Sequence, residues 1–179
     1  LKIHLGFFFV LTFLLAIAFS MPLRAATRDD APILFQMVVE LAAFEKMESE
    51  VVSNLERFTQ DFEDGRFRGF IVIDDETEKP SGMVVFSYRY DCWKGKFMYM
   101  NELFVRPEYR YKKYGKLLWA AVAKVAKDED ACEIVWRVLD WNQNAIRFYQ
   151  SVKGVSETKN DSGFLSYKMT REGIEQFGA

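Results

Sequence analysis

Histidine is nearly absent from this chain, since His4 is the only one among 179 residues. A Ser-His-Asp triad, a Cys-His pair and a histidine-ligated metal site each need a histidine beside their other groups. Because His4 lies in an apolar N-terminal segment, we do not expect any of these sites in the folded part of the chain. Proton chemistry there must use carboxylates, tyrosine, lysine or water.

Cysteine is scarce as well, because Cys92 and Cys132 are the only two and they are not spaced as a CxxC motif. The pattern predicts neither a disulfide framework nor a zinc site, and we expect no metal cofactor. Free thiols in a reducing compartment fit this composition, and a single bridge between the two cysteines stays open as an alternative.

Neither sign of charge dominates, because the chain has 24 basic and 26 acidic residues and a net charge of -2. A general nucleic-acid binder gains affinity by neutralising many phosphates, so the balance argues against such a partner. The length, with half of the residues hydrophobic, suits one domain of ordinary size over residues 21–179. Positive charge at residues 110–116 is therefore a local feature.

A long apolar run occurs at the start of the chain, from Leu5 to Phe19. It resembles a signal-peptide core and is shorter than the roughly 18–20 residues of a membrane span. Residues 1–20 have two interpretations: a real signal or anchor, or translated upstream sequence with Met21 as the working start. We favour the second, because signals for folded structure begin directly after Met21. We accordingly expect a cytoplasmic protein whose folded part does not contact a membrane.

Hydrophobic periodicity after Met21 predicts the order β-α-α-β-β-β-α-β-α-β-β. Thr27 and Asp30 have the spacing of a capping box, so the first helix is expected to begin there. Three consecutive strands joined by short turns indicate an antiparallel meander. The fold class expected is α/β (α+β), with a mixed, mostly antiparallel central sheet flanked by helices. The predicted strands cover 22–27, 69–74, 82–89, 96–105, 133–138, 154–158 and 163–169, and the predicted helices cover 28–46, 54–63, 113–127 and 142–152.

The stretch "NELFVRPEYRYKKYGKLLWAAVAKVA", residues 101–126, predicts a strand, a turn and a helix that begins in a cluster of positive charge. A helix N-terminus presents unpaired N–H groups and a partial positive charge to an anion. The pattern therefore favours an anion site at the turn. The alternative is that Lys112, Lys113 and Lys116 form a solvated helix face.

Five stretches carry a resemblance to a known family: "LRAATRDDAPIL", "LAAFEKM", "DCWKGK", "LFVRPEYR" and "VLDWNQNAIRFY". From Met21 to about Thr170 the chain resembles the GCN5-related N-acetyltransferases (GNAT), more narrowly the diamine acetyltransferases of the spermidine/spermine and thialysine type. The segment "VLDWN" looks more like the thialysine branch. The resemblance implies the GNAT fold, acetyl-CoA as co-substrate, a small-molecule amine such as a diamine, a polyamine or thialysine as acceptor, and a homodimer.

The resemblance also implies a coenzyme site at the turn. The family pattern Arg/Gln-x-x-Gly-x-Gly/Ala reads "RYKKYG" here, so Lys113 replaces the first glycine. Three outcomes are open for Lys113: an ordinary helical φ, compensation by added positive charge, or weakened coenzyme binding. Asn142 suits both a coenzyme contact and a helix N-cap. The residues expected to hold acetyl-CoA are Leu103, Phe104, Val105, Arg110, Tyr111, Lys112, Lys113, Tyr114, Gly115, Lys116 and Asn142.

Two catalytic residues follow from the resemblance. Tyr149 matches the tyrosine that protonates the departing thiolate, although its spacing alone would indicate a core ring. Glu102 is what remains of an acidic pair that here reads Asn101-Glu102, and strand alternation predicts that these two side chains point to opposite faces. An ordinary ion pair is the alternative for Glu102. The expected substrate contacts are Phe44, Glu45, Asp91, Trp93, Asn101 and Trp136.

The implied reaction is direct attack of a neutral primary amine on the thioester, without an acyl-enzyme. Backbone N–H groups of Leu103 to Val105 would hold the developing oxyanion. Two rival hypotheses stay open. One is a non-catalytic acyl-CoA-binding or regulatory module of the same fold, and the other is a peptide or protein N-acetyltransferase.

Overall fold

The structure is a computed structural model, and it describes residues 22–159 and 163–178. Within these residues, seven strands form one sheet in the order β1-β2-β3-β4-β5-β7-β6. Every neighbouring pair is antiparallel except β4 and β5, which are parallel, so the expected mixed and mostly antiparallel sheet is confirmed. The strands are Leu23–Ala25 (β1), Arg68–Ile73 (β2), Pro80–Asp91 (β3), Gly95–Val105 (β4), Glu133–Leu139 (β5), Val155–Lys159 (β6) and Phe164–Thr170 (β7).

Five helices accompany this sheet in the described ranges, and four of them match predicted helices. The fifth, at the C-terminal end, was not predicted, because its seven residues include Gly173 and are too few for a clear helical period. Its buried Ile174 packs into the same apolar core as residues 118–126 of the helix Tyr114–Asp128. The helices are Ala31–Glu45 (α1), Leu55–Glu63 (α2), Tyr114–Asp128 (α3), Gln143–Ser151 (α4) and Arg171–Phe177 (α5).

The first helix begins as the capping-box spacing predicts. The Thr27 backbone N–H donates a hydrogen bond of 2.8 Å to the Asp30 carboxylate, and one turn of 3-10 helix leads into α1. Arg24 in β1 binds the same carboxylate through two nitrogens at 2.6 Å and 2.8 Å. These contacts fix the direction in which α1 leaves the sheet.

The sheet separates two apolar cores, because side chains along a strand alternate between its faces. On one face, α1 and α2 cover a core that includes Leu34, Met37, Leu41, Met83, Val85 and Phe104. On the other, α3, α4 and α5 cover a larger core that includes Val84, Phe86, Met98, Met100, Leu118, Trp119, Val122, Ile146 and Ile174.

The parallel strands β4 and β5 diverge soon after they meet. Their register pairs only Met98 with Ile134 and Tyr99 with Val135, whereas β4 continues to Val105 and β5 to Leu139. Backbone N–H groups of β4 that do not pair with β3 therefore face an opening between the two strands. This opening at the carboxyl ends of the strands sets the position of the candidate site.

The N-terminal predictions lie outside the described residues. The apolar run at residues 1–20 and the working start at Met21 therefore stay predictions. None of the helices in the described residues is both long and apolar enough to cross a bilayer. Cys92 and Cys132 are both free thiols, so the alternative of a bridge between them is not found.

Candidate active site

A cavity of about 470 Å³ lies where β4 and β5 diverge, and we call it the strand-end cavity. The last residues of β4, the loop before α3, the first turn of α3 and one side of α4 form its wall. The lining residues are Leu41, Phe44, Leu103, Phe104, Val105, Tyr109, Arg110, Tyr111, Lys113, Tyr114, Gly115, Lys116, Asn142, Asn144, Ala145, Phe148 and Tyr149.

The loop before α3 has an unusual backbone at two positions. Tyr111 and Lys113 have φ values of 73° and 66°, and Lys113 is the residue directly before the helix. Side chains other than glycine lose roughly 1–2 kcal/mol in this left-handed conformation. The ordinary helical φ that we considered for Lys113 is therefore not found, since the backbone keeps the conformation for which glycine is suited.

A buried carboxylate, Asp74 after β2, holds this loop in place. The Tyr114 hydroxyl lies 2.8 Å from Asp74 and 2.7 Å from Asp75 and shares its one proton between these two carboxylates. The Lys112 ammonium lies 2.9 Å from Asp74 and 2.7 Å from Glu76. The Lys112 ammonium, followed by the Tyr114 and Thr77 hydroxyls, holds the pKa of Asp74 well below its usual range. Asp74 is therefore ionised at neutral pH, and it ties Lys112 and Tyr114, the residues on either side of Lys113, to the β2–β3 turn.

Positive charge remains at the strand-end cavity after Lys112 is paired. Arg110 donates from Nε to the Val105 carbonyl at 3.2 Å, and its guanidinium carbon lies 5.0 Å from the centre of the Phe44 ring. In the described part of the chain, no carboxylate forms an ion pair with Arg110, Lys113 or Lys116. Together with the N-terminus of α3, these cations make the loop end of the cavity attractive to an anion.

A second cavity, of about 400 Å³, lies between the C-terminal end of α1, the segment after it, and the middle of β4 and β5. We call it the acidic cavity, because Glu45, Glu50 and Glu102 line it. Leu41 of α1 lines both cavities, so the two are neighbours. The other lining residues are Phe35, Val38, Ala42, Met47, Val51, Val52, Ser53, Phe58, Tyr99, Asn101, Arg137 and Phe164.

A β-bulge brings Asn101 and Glu102 to the same cavity. Val85 of β3 pairs with Glu102 and Phe86 pairs with Met100, so Asn101 is an extra residue without a partner of its own. An extra residue reverses the alternation of side chains beyond it. The expectation that Asn101 and Glu102 point to opposite faces is therefore wrong, because both line the acidic cavity.

The carboxyl group of Glu102 is set up to exchange a proton near neutral pH. Burial, and then the negative charge of Glu45, raise its pKa to about 7, while Arg137 acts in the opposite direction. Burial also raises the pKa of Glu45. A partly buried acid with a pKa near 7 is a suitable general base at physiological pH.

Tyr149 belongs both to the core and to the wall of the strand-end cavity. Its ring centre lies 5.1 Å from that of Trp136 and 5.9 Å from that of Trp119, and the residue is only 6% exposed. Burial, followed by the negative charges of Glu102 and Glu45, raises the pKa of the hydroxyl. Tyr149 therefore stays protonated at neutral pH and can serve as a proton donor.

Comparisons with known proteins agree with this geometry. The Acetyltransferase (GNAT) family model matches residues 35–154. A thialysine N-epsilon-acetyltransferase from Caenorhabditis elegans is 38% identical over 151 residues, which are 84% of this chain and 92% of that protein. A Bos taurus protein of the same name is 28% identical over 162 residues, which are 86% of this chain and 95% of that protein. The chain belongs to the GNAT acetyltransferase family.

The GNAT fold also appears in a solved structure, a PaiA N-acetyltransferase from Thermoplasma acidophilum in complex with coenzyme A. It is 16% identical, with a TM-score of 0.63 over 84% of this chain and 99% of that chain, so this likeness concerns the fold alone. The predicted GNAT fold and the predicted N-acetyltransferase class are confirmed.

Ten of the eleven residues that the GNAT resemblance assigned to the coenzyme line the strand-end cavity. The exception is Lys112, which does not line it and is paired with Asp74 and Glu76. Asn142 lines the cavity and also caps α4, because its side-chain oxygen accepts a hydrogen bond of 3.2 Å from the Ala145 N–H. Its two expected roles are therefore compatible.

The residues assigned to the amine are more widely scattered. Glu45 and Asn101 line the acidic cavity, and Phe44 lines the strand-end cavity. Asp91 and Trp93 lie at the turn between β3 and β4 and line neither cavity; there, the Asp91 carboxylate accepts hydrogen bonds from two backbone N–H groups of the turn. Trp136 is fully buried between Trp119, Tyr149 and Tyr167, and it also lines neither cavity.

Several residues of this GNAT site were not predicted. Tyr99 shares a strand face with Asn101, so period-two alternation could have identified it. Arg137 comes near Tyr99 only because β4 and β5 pair there, which a sequence pattern does not reveal. Asp74 was expected only as the last residue of the predicted strand 69–74. No group of three or more His, Cys, Asp or Glu in residues 22–159 and 163–178 is arranged to hold a metal ion.

Proposed function

We propose that this GNAT protein transfers the acetyl group of acetyl-CoA to the primary amine of a small cationic substrate in a ternary complex. One observation carries the proposal: two cavities meet beside β4, one with an anion-attracting helix N-terminus and the other lined by carboxylates. A thioester entering from one side and an amine entering from the other would meet at the bulged strand. Direct transfer needs this arrangement.

Acetyl-CoA fits the strand-end cavity, where it would supply the acetyl thioester. Its pyrophosphate would lie against the backbone between Arg110 and Lys116, with charge from Arg110, Lys113 and Lys116. Gly115 supports this placement, because a Cβ atom there would meet only the Phe148 ring, at ordinary contact distances of 3.6 Å and 3.8 Å. Packing within the protein does not require glycine at this position, whereas close approach of a ligand would.

Glu102 would take the proton of the bound ammonium, directly or through water, because its pKa near 7 lets it accept a proton at neutral pH. The neutral amine then forms the new C–N bond, the nitrogen loses its second proton to water, and the C–S bond breaks. Backbone N–H groups of Leu103 to Val105 that face the strand opening would stabilise negative charge on the carbonyl oxygen. Tyr149 would give its proton to the departing thiolate and recover one from solvent.

The acidic cavity supports a small amine as the acceptor. Glu45, Glu50 and Glu102 favour a cation by Coulomb attraction, and the aromatic rings of Phe35, Phe58 and Tyr99 offer faces to it. The two relatives named above are thialysine N-epsilon-acetyltransferases, which agrees with an amine of this size. A purely coenzyme-binding module would have no need for a raised carboxyl pKa beside a buried tyrosine.

A thiol-release assay tests the proposal. Purified protein is given acetyl-CoA with thialysine, lysine, ornithine, putrescine, spermidine or spermine, and with a peptide carrying a free N-terminus. Turnover with one or more of the small amines is expected. Coenzyme binding without turnover would favour a binding module, and a marked preference for the peptide would favour a protein N-acetyltransferase.

We also propose that the protein acts as a cytoplasmic homodimer. Cytoplasm is where a consumer of acetyl-CoA finds its co-substrate. The β3–β4 turn carries Trp93, which is 99% exposed, and Asp91, although both were expected at the substrate. A second copy could place this turn at the neighbouring acidic cavity. Light scattering gives the oligomeric state, and mixing Tyr149→Phe with Trp93→Ala protein would restore partial activity only if sites are shared.

A further inference from the structure

Phe44 lies at the end of α1, where the last helical turn faces both cavities. Phe44 lines the strand-end cavity and not the acidic cavity, whereas the next residue, Glu45, lines the acidic cavity and not the strand-end cavity. Successive side chains of a helix point about 100° apart, because one turn takes roughly 3.6 residues. The last turn of α1 therefore gives one side chain to each cavity, and the aromatic ring is on the side of the strand-end cavity.

The Phe44 ring contacts partners from two other elements. The guanidinium carbon of Arg110 lies over the ring, 5.0 Å from its centre, and the centre of the Trp141 ring lies 5.9 Å from that of Phe44. Phe44 and Trp141 are 39% and 48% exposed, so core burial does not account for these two large rings. The Phe44 ring instead offers its face to a cation.

The direction of the Arg110 side chain is fixed, while its outer nitrogens stay unused. Its backbone N–H donates to the Pro107 carbonyl at 3.2 Å, and its Nε donates to the Val105 carbonyl at 3.2 Å. In the described ranges, no protein group accepts a hydrogen bond from its two terminal NH₂ groups. All N–H groups of a guanidinium lie in its plane, so a ring against its face leaves them available. The two NH₂ groups form a fork that suits a phosphate.

We propose that Phe44 is a positioning residue for the coenzyme: its ring, supported by Trp141, keeps the Arg110 guanidinium turned toward the pyrophosphate. This inference rests on the proposed function and deepens it. The family resemblance implied an amine contact for Phe44, and the role proposed here acts only through Arg110. An arginine without this support would lose more conformational freedom when it binds a phosphate, so the ring strengthens coenzyme binding.

Two variants separate the aromatic face from apolar bulk. Phe44→Leu keeps an apolar side chain and removes the face, whereas Phe44→Tyr keeps the face. In Phe44→Leu, the dissociation constant of coenzyme A, measured by calorimetry, and the KM for acetyl-CoA should both rise about 3- to 10-fold, the range of one cation–π contact. The KM for the best amine should stay within about twofold. Phe44→Tyr should behave as the wild type does.

A double variant tests whether Phe44 acts through Arg110. Phe44→Leu should add no further loss of coenzyme affinity to that of Arg110→Gln, because the effects of residues in contact are not additive. S-acetylpantetheine, a thioester without phosphates, should give the same kcat/KM with the wild type and with Phe44→Leu. Phe35→Leu is the matched control, since Phe35 lies on the same helix and lines only the acidic cavity. It should leave the dissociation constant of coenzyme A unchanged.

Unchanged coenzyme affinity in Phe44→Leu, or a higher KM for the amine alone, would overturn the inference. A full additional loss in the Arg110→Gln background would also overturn it, because Phe44 would then bind the coenzyme directly. Each of these results leaves the proposed function intact. Wild-type protein that binds coenzyme A but turns over no amine would instead remove the proposed function.

Discussion

The two cavities are built in opposite ways. The strand-end cavity is mostly apolar, and the loop at its end is tied down by a buried carboxylate that accepts several hydrogen bonds. The acidic cavity holds carboxyl groups whose pKa values are raised by burial, and it offers them few partners. Rigid preorganisation suits a ligand that is always the same, whereas unpaired charge suits proton transfer and selection among amines.

The loop of the strand-end cavity also compensates for a departure from the family pattern. Lys113 has the left-handed backbone of the glycine that it replaces. The hydrogen bonds of Lys112 and Tyr114 to Asp74 fix the residues on either side, so the strained conformation is held from both ends. Glycine is therefore not needed to obtain the backbone shape, and its absence costs stability instead.

The largest effect is expected for Tyr149→Phe, which deletes the proposed proton donor and keeps the ring. Turnover should fall about 10²-fold or more, the range for loss of one general acid. Stability and the dissociation constant of acetyl-CoA should barely change, as measured by thermal unfolding and calorimetry. Tyr167→Phe is the control, since Tyr167 packs in the same aromatic group but lines neither cavity. Near-normal turnover in Tyr149→Phe would make Tyr149 a core residue only.

Glu102→Gln should come next, with a loss of about 10- to 100-fold in kcat at pH 7.5. The wild-type kcat should rise with pH through about 7, where Glu102 becomes a carboxylate, and this limb should vanish in the variant. A further rise at higher pH, caused by the amine itself, should remain. Identical pH profiles for both proteins would argue that Glu102 is not the base.

The same substitution has an effect on stability with a defined sign. Burial raises the folded-state pKa of Glu102 from an ordinary 4.5 to about 7, so ionisation costs stability as pH rises across this interval. Above about pH 7, Glu102 is ionised in the folded protein and this loss of stability is complete. Glu102→Gln should therefore have a higher Tm than the wild type at pH 8, and the difference should disappear near pH 4.

Asp74→Asn tests the tie that holds the loop. Loss of the charge should free Lys112 and loosen the left-handed segment, so the KM for acetyl-CoA should rise about 10-fold while the KM for the amine changes little. If the double variant with Lys113→Gly recovers part of the loss, Asp74 acts through the loop conformation. A fall in kcat alone, with both KM values unchanged, would contradict this role.

The smallest effect concerns Lys113. Lys113→Gly relieves the strain of the left-handed backbone but raises the conformational entropy of the unfolded chain. We therefore expect a net gain of about 0.5–1 kcal/mol in the free energy of unfolding. Lys113→Ala removes the charge and keeps the strain, so it isolates the charge. Weaker coenzyme binding in both variants would show that the ammonium contributes, and tighter binding in the glycine variant alone would show that the lysine is a tolerated defect.

Much of this fold could be predicted, because long strands and helices with clear periods carry their own signal. The helix from Tyr114 and the strand ending at Val105 were expected within a residue or two. The loop that lines the strand-end cavity was predictable for the same reason, since its residues are consecutive. The positions that were misplaced or missed depend on pairing between distant segments.

The bulge at Asn101 shows why a sequence pattern alone can place a side chain on the wrong face of a strand. Strand alternation is a local rule, and one extra residue, visible only in the register between β3 and β4, reverses it for Glu102. Arg137 joins the site through pairing of β5 with β4, and Asp74 joins the loop from a turn about forty residues earlier in the chain. Trp136 was assigned to the substrate by resemblance, yet it lies in the core.

We propose that the strand-end cavity holds the coenzyme and the acidic cavity holds the amine. Steady-state kinetics of Arg110→Glu test it most directly, because Arg110 lines only the first cavity and the substitution places a negative charge beside the proposed pyrophosphate. The KM for acetyl-CoA should rise at least about 10-fold, while the KM for the best amine stays within about twofold. Equal increases in both values, or an increase for the amine alone, would show that Arg110 does not lie in a separate coenzyme site.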